Sequence, residues 1–317
     1  MFKKNFFVFI SSIFFLTNSF AAEKIDAVCT IGMITDIVRE VGGNRISVTG
    51  IMSSGVDPHL YKATRSDIAL LNRADLIFYN GLFLEGKMTD ALIRVASAGK
   101  KVFAVTELLS EEYLLEPKEF AGHYDPHVWM DPQAWQKTVE VVSDKLSQFD
   151  PDGKEQYESA AKNYLLKLKK LDQYAYKVLN SVPANLRIMV TAHDAFNYFG
   201  KRFAYEVIGI QGISTDSEAG VKDIEEIVNL LVKKKIKAVF IESTVSDKNI
   251  RALIEGAAAK GHEVNIGGEL FSDAMGKDGT YEGTYIGMID HNVTTIARAL
   301  GGKAPINGME GKLLGKL

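Results

Sequence analysis

Cysteine is almost absent from this 317-residue chain, which contains one, Cys29. A single cysteine excludes an intramolecular disulfide framework and a CxxC-type zinc or redox site. The chain also lacks an excess of basic residues, since 37 Lys and Arg stand against 40 Asp and Glu and give a formal charge of −3. No global positive field is therefore available for a phosphate backbone, and we expect no nucleic-acid partner.

Common catalytic and nucleotide-binding motifs are missing as well. The chain contains no HExxH, GxSxG or Walker GxxxxGK[ST] motif, and no GxGxxG follows the first expected strand. The Gly267-Gly268 pair is too weak a signal for a phosphate loop and is interpreted as a turn. These motifs therefore give no indication of a common hydrolase, metalloprotease or nucleotide-binding protein.

The N-terminus has the three-part layout of a signal peptide. A short basic start precedes an apolar run and a small-residue pattern, which predicts cleavage after Ala21 and a signal peptide at residues 1–21. The apolar run is shorter than the roughly 20 residues that span a bilayer. Cys29 lies inside the expected strand Asp26–Ile31 rather than at a lipid-attachment junction. We expect an exported, periplasmic protein without a lipid anchor.

Apolar β-rich runs alternate with amphipathic stretches in both halves of the chain. Examples are Ile46–Met52 followed by Thr64–Arg73, and Ala238–Ile241 followed by Lys248–Lys260. This alternation predicts an α/β fold with mostly parallel sheets. We expect two doubly wound, Rossmann-like lobes, at residues 22–150 and 184–317.

One long helix is predicted between the two lobes, in a connecting segment at residues 151–183. The stretch Lys154–Val182 contains neither proline nor glycine, and Pro183 ends it. Apolar residues recur there at alternating spacings of four and three, which marks one helical face. Such a helix packs on one lobe or connects both rigidly; the second arrangement would leave the cleft between the lobes partly preformed.

Three of the six histidines stand where metal ligands are expected. His59 and His127 each end an Asp-Pro-His tripeptide, in which the proline restricts the local backbone and the aspartate can accept a hydrogen bond. His193 follows the apolar run Ile188–Ala192. Open α/β sheets bind ligands at the carboxyl ends of their strands, so these positions favour a metal site.

A cation held by three imidazoles needs at least one more donor, and a carboxylate would also reduce its charge. Asp273 is favoured because it follows the expected strand Glu263–Ile266. Asp131, Asp194 and Glu242 are rival acids, and Glu242 is better explained as an acceptor that orients a ligating imidazole. His123 is an auxiliary candidate, whereas His262 and His291 are interpreted as structural.

Six segments of the chain resemble the zinc/manganese solute-binding receptors of ABC importers. They are Val56–Tyr61, His127–Asp131, Thr191–Gly200, Gln211–Ser214, Phe240–Ser243 and Gly268–Asp273. The resemblance implies two α/β lobes, one linking helix and one metal ion in the cleft between the lobes. It also implies the ligands His59 and His127 from the first lobe and His193 and Asp273 from the second.

The same resemblance bears on the identity of the metal. Manganese-dedicated members commonly have Glu where this chain has His193, and many zinc-dedicated members have a His-rich loop where this chain has only His123. We therefore expect a monomeric receptor, not an enzyme, that captures one Zn²⁺ or Mn²⁺ per chain and delivers it to an ABC permease. Imidazoles ligate only when neutral, so affinity should fall steeply below about pH 6.5.

Two other functions compete with a metal receptor. A secreted zinc-dependent metalloenzyme would also use three protein ligands, but its fourth position would hold water beside a general base. A binding protein for a metal chelate or corrinoid would need a wider, aromatic-lined pocket.

Overall fold

The first half of the protein is built on a parallel sheet. The structure, a computed structural model, describes residues 24–313, so the expected signal peptide and its cleavage site lie outside the described residues. The four strands have the order β2-β1-β3-β4 and are β1 (Ile25–Cys29), β2 (Ile46–Gly50), β3 (Leu76–Tyr79) and β4 (Lys101–Ala104). The helices of this half are α1 (Gly32–Gly42), α2 (Arg65–Arg73), α3 (Thr89–Ser97) and α4 (Pro132–Phe149).

Local sequence signals explain where two of these helices begin. Thr64 caps α2, because its hydroxyl accepts from the backbone N–H of Asp67 while the Asp67 carboxylate accepts from the Thr64 N–H. Asp131 caps α4 by accepting from the Gln133 N–H, and Pro132 occupies the first helical position. The start of α4 is therefore fixed directly after His127, within the same chain segment.

The predicted connecting helix is present as α5 (Lys154–Leu179), which is 26 residues long. At 1.5 Å per residue it spans about 39 Å. It packs on α1 and α4 of the first half and on the last helix, α9 (Tyr285–Ala299), of the second. Its buried stripe is Tyr157, Ala161, Tyr164, Leu168, Leu171, Ala175, Val178 and Leu179. Burial of each large apolar side chain in this stripe stabilises the fold by about 1.5–3 kcal/mol. The packing of α5 therefore holds the two halves together.

The second half contains two short parallel ladders. β5 (Ile188–His193) pairs with β6 (Glu206–Gln211), and β7 (Ala238–Glu242) pairs with β8 (Asn265–Leu270). β5 and β7 lie side by side between the two ladders. The helices are α6 (Asn197–Phe203), α7 (Val221–Lys234), α8 (Lys248–Ala259) and α9. The expected α/β class, with parallel strands and one long helix, is thereby confirmed.

The interpretation of Gly267-Gly268 as a turn was wrong. Both glycines lie within β8, where the pairing register with β7 shifts between Val239 and Phe240. A Cβ on Gly267 would come within 2.8 Å of the Phe240 ring, and one on Gly268 within 2.4 Å of Thr295 on α9. The pair therefore lets α9 pack closely on β8 and carries the strand further than the sequence predicted, to Leu270.

Candidate metal centre

Three of the four predicted ligands lie at or after the ends of strands, and the fourth, His127, is held at the same edge by a hydrogen bond. His193 is the last residue of β5, and Asp273 follows the end of β8 by three residues. His59 lies in the loop after β2. His127 stands far from the end of β4 along the chain, but the Asn80 side chain, at the end of β3, donates to the carbonyl of Pro126 at 3.1 Å. That hydrogen bond places His127 at the same sheet edge as His59.

The ligating atoms of His59, His127, His193 and Asp273 all lie within 4.8 Å of one another. The Nε2 atoms of His59 and His127 are 3.3 Å apart. Asp273 Oδ2 lies 3.1 Å from His193 Nε2 and 3.6 Å from His59 Nε2, and Oδ1 lies 3.4 Å from His127 Nε2. A tetrahedral ion with bonds of about 2.05 Å has ligand atoms about 3.3 Å apart. The four separations of 3.1–3.6 Å are close to this value, and the remaining pairs lie within 4.8 Å, so the group can hold a single cation.

All four side chains are buried, with relative exposures of 0–3%. His193 Nε2 and both carboxylate oxygens of Asp273 have no hydrogen-bond partner. Buried polar atoms without partners cost free energy, so a protein retains them where a ligand supplies the missing contact. The donor set of three imidazoles and a carboxylate therefore fits Zn²⁺ or Mn²⁺.

Electrostatics distinguish the imidazoles. Burial lowers the pKa of His59 to about 3, so its ring is neutral near pH 7. Burial also disfavours the charged form of His127, but the carboxylates of Asp125 and Asp273 outweigh it and raise the pKa to about 9. The pKa of His193 is raised well above its usual range because Asp273 and Glu242 outweigh its burial. Despite burial, the neighbouring His193 and His127 hold the pKa of Asp273 well below its usual range.

Two ligand histidines are oriented by buried carboxylates. Glu242 Oε1 accepts from the His193 backbone N–H at 2.9 Å, and Oε2 lies 2.6 Å from Nδ1. Asp125 Oδ1 accepts from the His127 N–H at 2.9 Å and lies 2.7 Å from its Nδ1. Each Nδ1–H thus donates to a carboxylate, which leaves Nε2 directed at the shared point.

His59 is held differently, although its tripeptide is the same. Asp57 Oδ1 accepts from the His59 backbone N–H at 2.8 Å. The other oxygen, Oδ2, accepts from the Thr215 hydroxyl in the second half at 2.6 Å. Asp57 therefore positions the His59 backbone and contacts the opposite half of the protein.

Sequence reasoning missed the residues that support Asp273. The Asn292 side chain accepts from the Phe271 N–H at 2.9 Å and donates to the Phe271 carbonyl at 2.7 Å. The indole N–H of Trp129 donates to the Ser272 carbonyl at 2.9 Å. The signal available in the sequence was a polar residue, Asn292, on the buried face of α9.

The remaining candidates lie apart from the four ligand atoms. His123 is exposed, with its ring centroid 4.8 Å from that of Phe83 and 5.2 Å from that of Phe120. The rival acid Asp131 caps α4, and Asp194 accepts from Asn197 at 3.0 Å. His262 lies 2.6 Å from the Ile236 carbonyl and His291 lies 2.9 Å from the Glu269 carbonyl.

Comparisons with known proteins identify the family of this chain. Residues 27–299 match the family model described as zinc-uptake complex component A, periplasmic. The manganese-binding lipoprotein MntA of Bacillus subtilis is 44% identical over 280 residues, which cover 88% of this chain and 91% of that protein. The manganese ABC transporter substrate-binding lipoprotein PsaA of Streptococcus mitis is 31% identical over 285 residues, covering 88% of this chain and 90% of PsaA.

A solved structure is similar over the same range. The periplasmic zinc-binding protein TroA of Treponema pallidum superposes with a TM-score of 0.85 at 44% identity, covering 88% of this chain and 99% of that one. The two halves and the long helix therefore have a solved counterpart.

Proposed function

Because the chain belongs to the family of periplasmic zinc-uptake components, we propose that it captures one Zn²⁺ or Mn²⁺ ion with His59, His127, His193 and Asp273 and delivers it to an ABC permease. Its relatives are transport proteins, so the chain is a substrate-binding component of an importer and not an enzyme. The metal is the cargo, and no covalent step is needed.

One observation carries the proposal. His193 Nε2 and both Asp273 oxygens are buried without a well-formed hydrogen bond. The Asp273 oxygens lie 3.1–3.6 Å from the Nε2 atoms of the three histidines, which are the separations of a coordination shell. In a carrier, a protein carboxylate supplies the position that an enzyme leaves to water. The four ligand atoms lie close enough together to hold a single ion. This arrangement supports neither a metalloenzyme, which would leave one position to water, nor a receptor for a chelate or corrinoid, which would need a wider pocket.

The same arrangement accommodates both metals. Three imidazoles favour zinc in raw affinity, since manganese stands lowest in the divalent series. Both Asp273 oxygens face the histidines, so bidentate ligation would raise the coordination number to one that manganese accepts. Relatives are named for either metal.

The chain functions outside the cytoplasmic membrane, as the family description indicates. Among the described residues, no helix is both long and apolar enough to cross a bilayer. We propose that the mature protein begins at Ala22 and is a monomer, with lobes at 22–150 and 184–317 joined through 151–183. MntA and PsaA are named lipoproteins. Here Cys29 is buried in β1 between β2 and β3, where a lipid on its sulfur would not fit, which argues against lipid attachment at this residue.

Calorimetric titration of the metal-stripped mature chain with Zn²⁺ and Mn²⁺ tests the proposal. We expect one site per chain for each metal, severely weakened by His193→Ala and by Asp273→Ala. His291→Ala is the matched control, because His291 contacts the Glu269 carbonyl on the surface of β8. No stoichiometric binding, or binding that neither substitution changes, would contradict the proposal. A mass measurement of the exported protein tests the lipid-free N-terminus at Ala22.

A further inference from the structure

The two sides of the metal centre differ in how deeply the chain buries them. Residues 125–130, around His127, are buried without exception. In the matching window around His59, residues 57–62, only Pro58 and His59 are buried, and Leu60 and Lys62 are exposed. The centre is therefore much nearer to solvent on the side of His59.

Buried aromatic residues join the two halves on the His127 side. Tyr198 in the second half donates to the Asp125 carbonyl at 2.8 Å, and Trp129 donates to the Ser272 carbonyl. Tyr285 donates to the Trp129 carbonyl at 2.8 Å. Breaking a buried hydrogen bond is costly because it leaves a desolvated donor and acceptor without partners, so this side remains closed.

Two polar contacts from one loop close the His59 side. The loop follows β6, and its Thr215 donates to Asp57. The next residue, Asp216, lies 2.5 Å from the Nζ of Lys87. Lys87 and Asp216 are partly exposed, so their attraction is screened by solvent. We call the pairs Asp57–Thr215 and Lys87–Asp216 the clasp.

The ligands are too buried to meet an ion from solvent while the clasp is closed. A cavity of about 20 Å³ reaches Asp273 beside Ser53 and Val56. A cavity of this size holds about one water molecule. It borders the loop that leads to His59, so movement of that loop would widen it.

We propose that the metal enters and leaves past His59, and that the clasp sets the rate of this exchange. The inference rests on the proposed metal-receptor function and adds a route and a pair of positioning contacts to it. Thr215 and Lys87–Asp216 touch no ligand atom, whereas Asp57 acts through the His59 backbone. The clasp joins protein groups to one another, so opening it costs the same with or without the metal.

The test measures metal exchange in Thr215→Val, Asp216→Asn and the double variant. Release is followed by stopped flow after mixing the Zn²⁺-loaded or Mn²⁺-loaded protein with excess EDTA, and binding by mixing the metal-free protein with metal. Trp129 serves as the fluorescence reporter, since its ring centroid lies 5.2 Å from that of His127. A part-buried hydrogen bond and an exposed ion pair together correspond to about a tenfold change.

We expect both the release rate and the association rate of the double variant to rise about tenfold, while Kd stays within about twofold. Glu206→Gln is the matched control, because it removes the exposed Lys234–Glu206 pair within the second half and should change neither rate. Unchanged rates in the double variant would overturn the inference. So would a weaker Kd with an unchanged association rate, which is the result expected for a damaged ligand shell. Failure of the parent protein to bind metal would instead contradict the proposed function.

Discussion

The two Asp-Pro-His segments of the first half share three residues but hold their histidines in different ways. Asp125 contacts both the backbone and the ring of His127, within a fully buried segment. Asp57 contacts the backbone of His59 only, and its second oxygen receives Thr215. Both aspartates accept hydrogen bonds from the second half, Asp125 from Asn197 and Tyr198 and Asp57 from Thr215. Identical tripeptides thus give one ligand whose ring is oriented by a carboxylate and one whose ring has no such partner.

The difference shows that the properties of a ligand histidine depend on the partner of Nδ1, the ring nitrogen that does not face the metal. A carboxylate on Nδ1 fixes the tautomer and the ring orientation and raises the basicity of the ligand. His127 and His193 have such a partner, and their pKa values are raised accordingly. The pKa of His59 is lowered by burial, so it is the least basic of the three.

Removing either histidine is the strongest way to probe this comparison. We expect His127→Ala and His59→Ala each to weaken metal binding more than about 100-fold, beyond the range seen for outer partners of ligands. The loss should be larger for His127→Ala. In His59→Ala, water can reach the vacated ligand position past the exposed residues Leu60 and Lys62, whereas residues 128–130 beside His127 are buried. Titration calorimetry measures both, with His262→Ala as the control. Equal losses of affinity in the two variants would contradict the distinction between His59 and His127.

In mild acid, His127 but not His59 should be protonated in the metal-free protein. His127, with a pKa of about 9, carries a proton in the metal-free protein from pH 7 to pH 5, whereas His59, with a pKa of about 3, does not. Metal must displace that proton, so affinity falls as pH falls, by about 100-fold over two pH units for one proton. The pH slope of the affinity should therefore decrease in His127→Ala and persist in His59→Ala. Competition with a chelator of known affinity at several pH values gives the slopes.

Substituting the two aspartates compares the tripeptides directly. Asp125→Asn replaces the carboxylate that orients the His127 ring and should weaken metal binding about 10–100-fold. Asp57→Asn removes no hydrogen-bond partner from the His59 ring, since Asp57 contacts only the His59 backbone. It should therefore weaken metal binding less than about tenfold. The reverse order in calorimetric titrations would show that His59 is the better positioned ligand.

The smallest expected effect is a pH-dependent change in the stability of the metal-free protein, which distinguishes acid effects on the fold from acid effects on metal binding. Asp36 on α1 is buried, accepts from the Tyr164 hydroxyl on α5 at 2.6 Å, and has a pKa raised by burial to about 6. The folded state binds this proton more tightly than the unfolded state, so this contribution to stability is present at low pH and is lost as pH rises through about 6. Asp36→Asn should therefore stabilise the metal-free protein at pH 8 by on the order of 1 kcal/mol and have no effect near pH 4. Urea unfolding at both pH values measures this, and a constant difference would contradict it.

The sequence allowed much of the fold to be predicted because its signals are local. The stripe of α5 repeats over many turns, and the helix ends within three residues of the predicted Val182. The four residues His59, His127, His193 and Asp273 follow from strand ends and motifs, and the structure brings them together. The extension of β8 to Leu270 was missed, because Gly267-Gly268 is typical of turns and only the packing of α9 shows otherwise.

The contacts around the site depend on residues that are distant in the chain. Thr215 lies 158 positions from Asp57, and Asn292 lies 21 positions from Phe271. No periodicity or motif links such pairs, so the different environments of the two tripeptides could not be read from their shared residues.

The long helix α5 has a thermodynamic consequence for metal capture. Because α1, α4 and α9 all pack on it, the two halves cannot close over an ion by a large rotation without shearing this buried interface. Binding should therefore hide little additional apolar surface from water, and it is the burial of such surface that makes the heat capacity of binding strongly negative. Metal capture by this protein should thus show a heat capacity change near zero, with an enthalpy that is almost constant with temperature.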